Sequence, residues 1–527
     1  MKYIAQLLVA ASLLTGSASL ANQSPQDNDE RWGDLGDGTF ANPVLNADYS
    51  DPDVIRVGEK YYMTCSEFHF MGMPILESDD MVNWHIIGQV FDSIGLDGYS
   101  TMDKYGSGSW APALRYHDGK FWIFVCTPGE GLFMATAENP AGPWSELYNV
   151  KNVSGWEDPC PLWDEDGNAY LGRSQLGGGP IIIHRMATDG KSLLDDGVKV
   201  YEGPTAEGTK LFKRDGYYYL SIPEGGVGTG WQTVLRSKSI YGPYEGRRVL
   251  ETGSTNINGP HQGALVDTPD GNWWFFHFQS AGALGRVVHL QPVVWEGGFP
   301  IIGTDYDHNG VGEPMKISTV PLPSKTGTPV TPQTSDDFDS KKLGIQWQFN
   351  HNPDRSRISL ESRKGWLAVA PLPAPGLRHC RNQLTQKLMG YRGEVMVTLD
   401  FAQMRAGDFA GLECIGNKFM AIGVKIDSKG VPQLCIESDG EQTSLEVVSD
   451  TSADCVYLRL DFDATAKKFQ FYYSLDGTAF VKAGAVFEMS DGDWKGCRTG
   501  LFAYTGGNAD DAGTAYFDNY NYKHDGN

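Results

Sequence analysis

From residue 53 onward, apolar residues come in short runs broken by Gly, Asp and Asn, and no stretch between them carries a long helical pattern. Val54-Ile55-Arg56-Val57, the turn Gly58-Glu59 and the pair Tyr61-Tyr62 read as a hairpin. The same turn, glycine and aromatic strand recur at Asp118-Gly119-Lys120-Phe121-Trp122, Asp166-Gly167-Asn168-Ala169-Tyr170, Asp215-Gly216-Tyr217-Tyr218-Tyr219 and Asp270-Gly271-Asn272-Trp273-Trp274. Asp-Gly between apolar runs is a strong hairpin signal, because both residues tolerate the positive φ of a tight two-residue turn. A second motif follows several hairpins: Glu77-Ser78-Asp79 to Trp84, Ala135-Thr136-Ala137 to Pro143-Trp144, and Arg236-Ser237-Lys238 to Pro243-Tyr244. Each reads as an outer strand and its turn. Five units at a spacing of roughly fifty to sixty residues predict an all-β chain with a five-bladed β-propeller over residues 39–315. One long irregular sandwich is the alternative, and it gives no reason for a fixed repeat.

The pattern changes at residue 316. Pro321, Pro323, Pro329 and Pro332, spaced by Ser, Thr and Lys, predict a semi-extended linker over 316–335. Alternating strands return over 336–527, for example Glu394-Val395-Met396-Val397-Thr398-Leu399, Val456-Tyr457-Leu458-Arg459-Leu460 and Phe469-Gln470-Phe471-Tyr472-Tyr473. They predict a β-sandwich. At the other end, Met1-Lys2, the apolar run from Leu7 to Leu14 and Ser19-Leu20-Ala21 read as a secretory signal over 1–21. Polar residues 22–38 are expected to be loosely ordered.

Composition narrows the partners. A formal net charge of -23 over 527 residues argues against nucleic acid, which needs a basic face. No apolar segment is long enough for membrane insertion. The eight cysteines are scattered, without a Cys-x-x-Cys pair, so mostly buried free thiols are expected and a zinc site has no support.

Candidate chemistry lies at the edges of the repeat. Asp51 in Ser50-Asp51-Pro52, Asp158 in Trp156-Glu157-Asp158-Pro159 and Glu207 in Ala206-Glu207-Gly208 each precede a hairpin, in the first, third and fourth units. Propeller blades bring such positions to one central face, and two carboxylates flanking a bond are what glycoside hydrolysis needs. A third nearby negative charge would raise the pKa of the acid and orient it. Glu224 in Pro223-Glu224-Gly225 is a rival for the acid role, at the far end of its hairpin. Asp305-Tyr306-Asp307-His308-Asn309-Gly310 mimics the start of a calcium loop, but its twelfth position is Lys316, so a plain turn is expected.

Several stretches resemble family 43 of the glycoside hydrolases. They are Asn42-Pro43-Val44-Leu45 through Asp51-Pro52, Trp110-Ala111-Pro112, Asp158-Pro159, Ala206-Glu207-Gly208, and Gly285-Arg286 before Leu290-Gln291-Pro292, in that family's order. The resemblance implies a five-bladed propeller and an inverting mechanism. Asp51 would be the general base, Glu207 the general acid, and Asp158 the residue that tunes and orients the acid. Trp110, Arg286 and Phe68 would contact sugar. His261 would face a structural calcium ion through water, or else be a packed core histidine; no other cofactor is implied. Asp336-Asp337-Phe338 and Arg381-Asn382-Gln383-Leu384-Thr385-Gln386 resemble the concanavalin A-like sandwich of β-xylosidases and α-L-arabinofuranosidases, in which a loop can wall the cleft. Phe68-His69-Phe70-Met71-Gly72 departs from the run common in the xylosidase branch and weighs against a strict xylosidase. The expectation is an exported exo-acting enzyme, periplasmic or secreted. It would release terminal α-L-arabinofuranose from hemicellulose or pectin side chains. β-Xylosidase or dual activity on xylo-oligosaccharides is the alternative. A carbohydrate-binding protein on the same scaffold would not need the three acids.

Overall fold

The computed structural model describes residues 29–325, 327–448 and 454–526; the proposed signal stretch lies outside them. Among the described residues five four-stranded antiparallel sheets follow one another, each with its strands in chain order. Their first strands are Asp53–Val57, Trp110–His117, Trp156–Trp163, Lys210–Arg214 and His261–Asp267. Two of the repeat's four Asp-Gly pairs form tight two-residue turns; at Asp166-Gly167 and Asp270-Gly271 only the glycine is left-handed, with φ of 81° and 88°, inside a longer loop. Asp118 and Gly119 have φ of 49° and 73°, and Asp215 and Gly216 have 50° and 72°. Each of these two pairs therefore closes a hairpin within two residues.

The five blade-like sheets close on themselves. The first strand of the first sheet packs on those of the second and the fifth, the second on the third, and the third on the fourth. The fourth sheet meets His261–Asp267 through Tyr217–Glu224. At the centre, buried Asp53 accepts from Arg115 Nη1 and from the Leu114 amide, both at 2.7 Å, and pairs with Lys210 Nζ at 3.2 Å. Arg115 in turn donates to Cys160 Sγ at 2.7 Å. One ionic cluster thus ties four sheets together. Asp53→Ala leaves buried Lys210 and part-buried Arg115 without their anion and is expected to destabilise the fold by about 3–5 kcal/mol. A urea-unfolding free energy within about 1 kcal/mol of wild type would mean the cluster is solvated.

Beyond residue 345 two large sheets face each other, one of eight strands and one of seven. In Cys455–Asp463, burial alternates residue by residue, with Val456, Leu458, Leu460 and Phe462 inward. That is the period of a strand with one face on a core. All eight cysteines are free, and all but Cys455 are buried.

Two expectations are corrected. The polar segment before residue 39 is not loose where it is described: Gly33–Asp34 pairs with Thr39–Ala41, which pairs with Ile317–Thr319. Buried Trp32 donates to Asp525 at 2.8 Å. Nor is 316–335 a free spacer. It supplies that third strand, and Gln333 exchanges two hydrogen bonds with the Ile86 backbone, at 3.1 and 3.0 Å. Strand edges leave backbone donors and acceptors that must be paired, and a proline-spaced chain can still pair them.

The sandwich is docked on the ring through buried charge. Glu67 accepts from Lys387 Nζ at 2.6 Å and from Arg498 Nη2 at 2.7 Å, with all three side chains buried.

Candidate active site

One chemically distinctive side chain stands at the start of each inner strand: Asp51, Trp110, Asp158, Glu207 and His261, in sheet order. The two Asp-Pro pairs have the same local form. Asp51 and Asp158 both have φ of 54°, a left-handed conformation that aspartate tolerates better than most residues. The kink turns each carboxyl out of the strand ladder.

Asp51 is held on both oxygens. Arg286 Nη1 donates to Oδ1 at 2.8 Å, and Ser66 Oγ donates to Oδ2 at 2.6 Å. Arg286 is fixed by its own backbone, which donates to Asp48 Oδ1 at 2.9 Å; Asp48 Oδ2 accepts from the Gly496 amide of the sandwich at 3.0 Å. Glu207 sits in the loop between the third and fourth sheets, anchored by its amide to the Pro223 carbonyl at 3.2 Å. Its Oε1 lies 2.8 Å from His261 Nε2, and the side chain is 19% exposed, the most open of the three acids. Asp158 is buried and accepts from Ser174 Oγ, from the Gly208 amide at 2.7 Å and from Gln262 Nε2 at 2.9 Å. Glycine at 208 permits that approach: a Cβ there would lie 2.5 Å from Pro223 Cδ.

These acids act on one another. Burial, then the charge of Glu207 and also that of Asp51, raises the Asp158 carboxyl to about 6, against hydrogen bonds from Ser174 and Gly208 that lower it. A fourth carboxyl, Glu157, lies in the same field: burial, then Asp158, Glu207 and Asp51, raise it, and Arg286 opposes. Motif reasoning passed over Glu157, treating it only as the setting of Asp158.

The aromatic wall is assembled from both bodies of the molecule. Trp110 lies edge-on to Phe68 at 5.7 Å and to Trp494 of the sandwich at 5.9 Å. Trp494 is 59% exposed and had no signal in the sequence. Arg286 stands 4.8 Å from the Phe278 ring and 5.8 Å from that of Phe68.

The segment after Phe68 turns out to be a docking strip. The Phe349 carbonyl accepts from the Met71 amide at 2.8 Å, and the His69 carbonyl accepts from the His351 amide at 2.8 Å. Arg498 stacks on Phe70 at 3.6 Å. Residues 69–71 of this run are therefore engaged with the sandwich, while Phe68 stays beside Trp110 and Arg286. Glu224 does not join the acids: Tyr201 donates to one oxygen at 2.9 Å and Thr233 to the other. Asp305 takes the Asn309 and Gly310 amides at 3.0 and 2.9 Å, an ordinary exposed turn. His261 Nδ1 is buried and unpartnered among the described residues, as a solvated cation would require, but no group of three or more His, Cys, Asp or Glu able to hold a metal occurs there. The donor set does not amount to a protein-ligated metal site, and the chemistry below uses none.

The sequence model described as "Glycosyl hydrolases family 43" matches residues 40–300, and that described as "Beta xylosidase C-terminal Concanavalin A-like domain" matches 335–523. A protein of Xylanibacter ruminicola named "Putative beta-xylosidase" is 53% identical over 469 residues, 89% of this chain and 87% of its own. The chain belongs to glycosyl hydrolase family 43. This family 43 chain is also 33% identical over 354 residues to "Non-reducing end alpha-L-arabinofuranosidase BoGH43B" of Bacteroides ovatus, 63% of this chain and 65% of that one. The crystal structure of the "GH43 BlXynB protein" from Bacillus licheniformis superposes with a TM-score of 0.80 at 29% identity, covering 92% of this chain and 99% of that one. The protein is thus a glycoside hydrolase acting on carbohydrate. Among the described residues no helix is long and apolar enough to cross a membrane.

Proposed function

We propose that this hydrolase is an exo-acting, inverting β-xylosidase, with α-L-arabinofuranosidase as the second reading. The observation that carries the mechanism is the different tethering of two acids from separate sheets. Asp51 is ion-paired to Arg286, whereas Glu207 is the more open acid and is tied to His261. On this reading Asp51 accepts a proton from a water as that water attacks the anomeric carbon. Glu207 gives a proton to the departing glycosidic oxygen, and Asp158, buried between neighbours, transfers none. Direct attack by water inverts the anomeric centre and calls for carboxyls roughly 6.5–9.5 Å apart.

Xyloside is preferred because the relative named as a beta-xylosidase matches more of the chain, at higher identity, than the one named as an arabinofuranosidase. The second reading rests on that arabinofuranosidase match. The same proposal takes the five sheets as the blades of one propeller and residues 1–21 as an export signal, which puts the enzyme in the periplasm or outside the cell.

Proton NMR of the first sugar released from a xyloside is expected to show the inverted anomer. Retention would remove Asp51 as base and require a nucleophile. Nitrophenyl β-xylopyranoside should exceed nitrophenyl α-L-arabinofuranoside in kcat/KM by at least about tenfold, or roughly 1.4 kcal/mol in the transition state. The reverse order gives the second reading, and turnover of neither sinks both.

A further inference from the structure

We propose that Glu157 is a sugar-contacting residue of this pocket, its carboxyl gripping a hydroxyl of the terminal pentose. The inference rests on the glycosidase reading above and assigns a residue which that mechanism does not use.

Its position is unusual for a structural acid. Glu157 is 6% exposed, takes part in no salt bridge among the described residues, and leaves Oε1 buried without a hydrogen-bond partner there. A buried carboxyl oxygen left unpartnered is costly, so a folding role would have supplied it with a donor. The strand gives it a route to the pocket. Regular alternation would put residues 157 and 158 on opposite faces. The register between Trp156–Trp163 and Ala169–Gln175 breaks between Glu157 and Cys160, and Asp158 has its left-handed φ inside the break. Two successive acids can therefore both address the centre of the ring.

The charged and titratable groups that act electrostatically on Glu157 come from every sheet around the site. They are Asp51 from the first, Cys126 from the second, Asp158 beside it, Glu207 from the loop entering the fourth and Arg286 from the fifth. Burial first, and then the three neighbouring acids, favour the protonated form. A neutral carboxyl offers one O–H donor and one carbonyl acceptor, the pair that a sugar hydroxyl satisfies on both sides. Being neutral, it also adds no further negative charge to the pocket.

The test is competition by free D-xylose and L-arabinose against nitrophenyl glycoside hydrolysis, in wild type, E157Q, E157A and E157L. E157A and E157L are expected to weaken pentose inhibition by about 10–100-fold and to raise KM similarly, since each loses a hydrogen bond made in a dry site. E157Q, which keeps a donor and an acceptor, should stay within about threefold, or less than 1 kcal/mol, with both limbs of its pH profile unmoved. E157L removes a buried acid in favour of an apolar side chain and is expected to fold even if E157A does not; thermal melts check this. Unchanged pentose inhibition in E157L would overturn the proposal and leave Glu157 acting through Asp158. Equal losses in E157Q and E157L would overturn it too, by pointing to proton transfer. If wild type cleaves no pentoside, the glycosidase reading fails instead; pentoside cleavage with unaltered inhibition in E157L sinks the Glu157 assignment alone.

Discussion

Asp51→Ala is expected to lower hydrolysis by about four orders of magnitude on every pentoside, activated or not. General-base assistance contributes typically 10²–10⁴ in rate, and no second carboxyl stands in its place: Asp158 is consumed by three hydrogen bonds, Glu207 is engaged by His261, and burial and the neighbouring acids hold Glu157 protonated. Glu207→Ala should behave differently. A nitrophenolate leaves without protonation, so that variant is expected to lose about 10²-fold less on nitrophenyl glycosides than on xylobiose. Asp51→Ala has no such leaving-group dependence, because water must be activated whatever departs. The control is Asp51→Asn, which keeps the shape beside Arg286 and Ser66 and should be as inactive as the alanine variant. Equal losses on activated and unactivated substrates for Glu207→Ala would contradict the division of roles. Substantial activity in Asp51→Asn would show that Asp51 serves to hold Arg286.

What could be read in the sequence was what is decided locally. At Asp118-Gly119 and Asp215-Gly216 two adjacent residues carry the backbone angles of a tight hairpin, and all five repeats fall within the four-stranded sheets. Asp51 and Asp158 were visible because a proline follows each and a strand begins there. What could not be read depends on contacts distant in sequence. His261 lies 54 positions from Glu207, and nothing in either motif pairs them. Phe68-His69-Phe70-Met71-Gly72 looked like a statement about substrate, yet its partners are Phe349, His351 and Arg498. Glu157 was missed for a subtler reason. Strand alternation assigns it to the face opposite Asp158, and only the register break next to it, a tertiary event, cancels that rule. The wall residue Trp494 comes from a different body of the molecule altogether.

Asp158→Asn should separate catalysis from stability in opposite directions. The asparagine can keep its carbonyl toward Ser174 and Gly208, while the Gln262 amide turns over to face the new NH₂. Shape is retained and charge is lost. Burial is the larger cause that raises Asp158, and its repulsion with an ionised Glu207 is the next. Without that repulsion, the alkaline limb of the pH–rate profile should move to lower pH by about one unit, with a fall in rate of about 10²-fold. The folded protein should gain at neutral pH. Asp158 rises from 3.8 to about 6 on folding. Between those values the native chain holds a proton that the unfolded chain has released, so wild-type stability falls as pH rises through that window. The penalty, on the order of 3 kcal/mol, is in full force above about pH 6 and vanishes below about pH 4. The variant lacks it. Its Tm should exceed that of wild type at pH 7, and the two melting curves should converge toward pH 4. A variant with an unmoved alkaline limb would mean that Asp158 orients substrate without tuning the acid. A variant less stable than wild type at every pH would mean that the three hydrogen bonds to the carboxylate outweigh its burial and the repulsion.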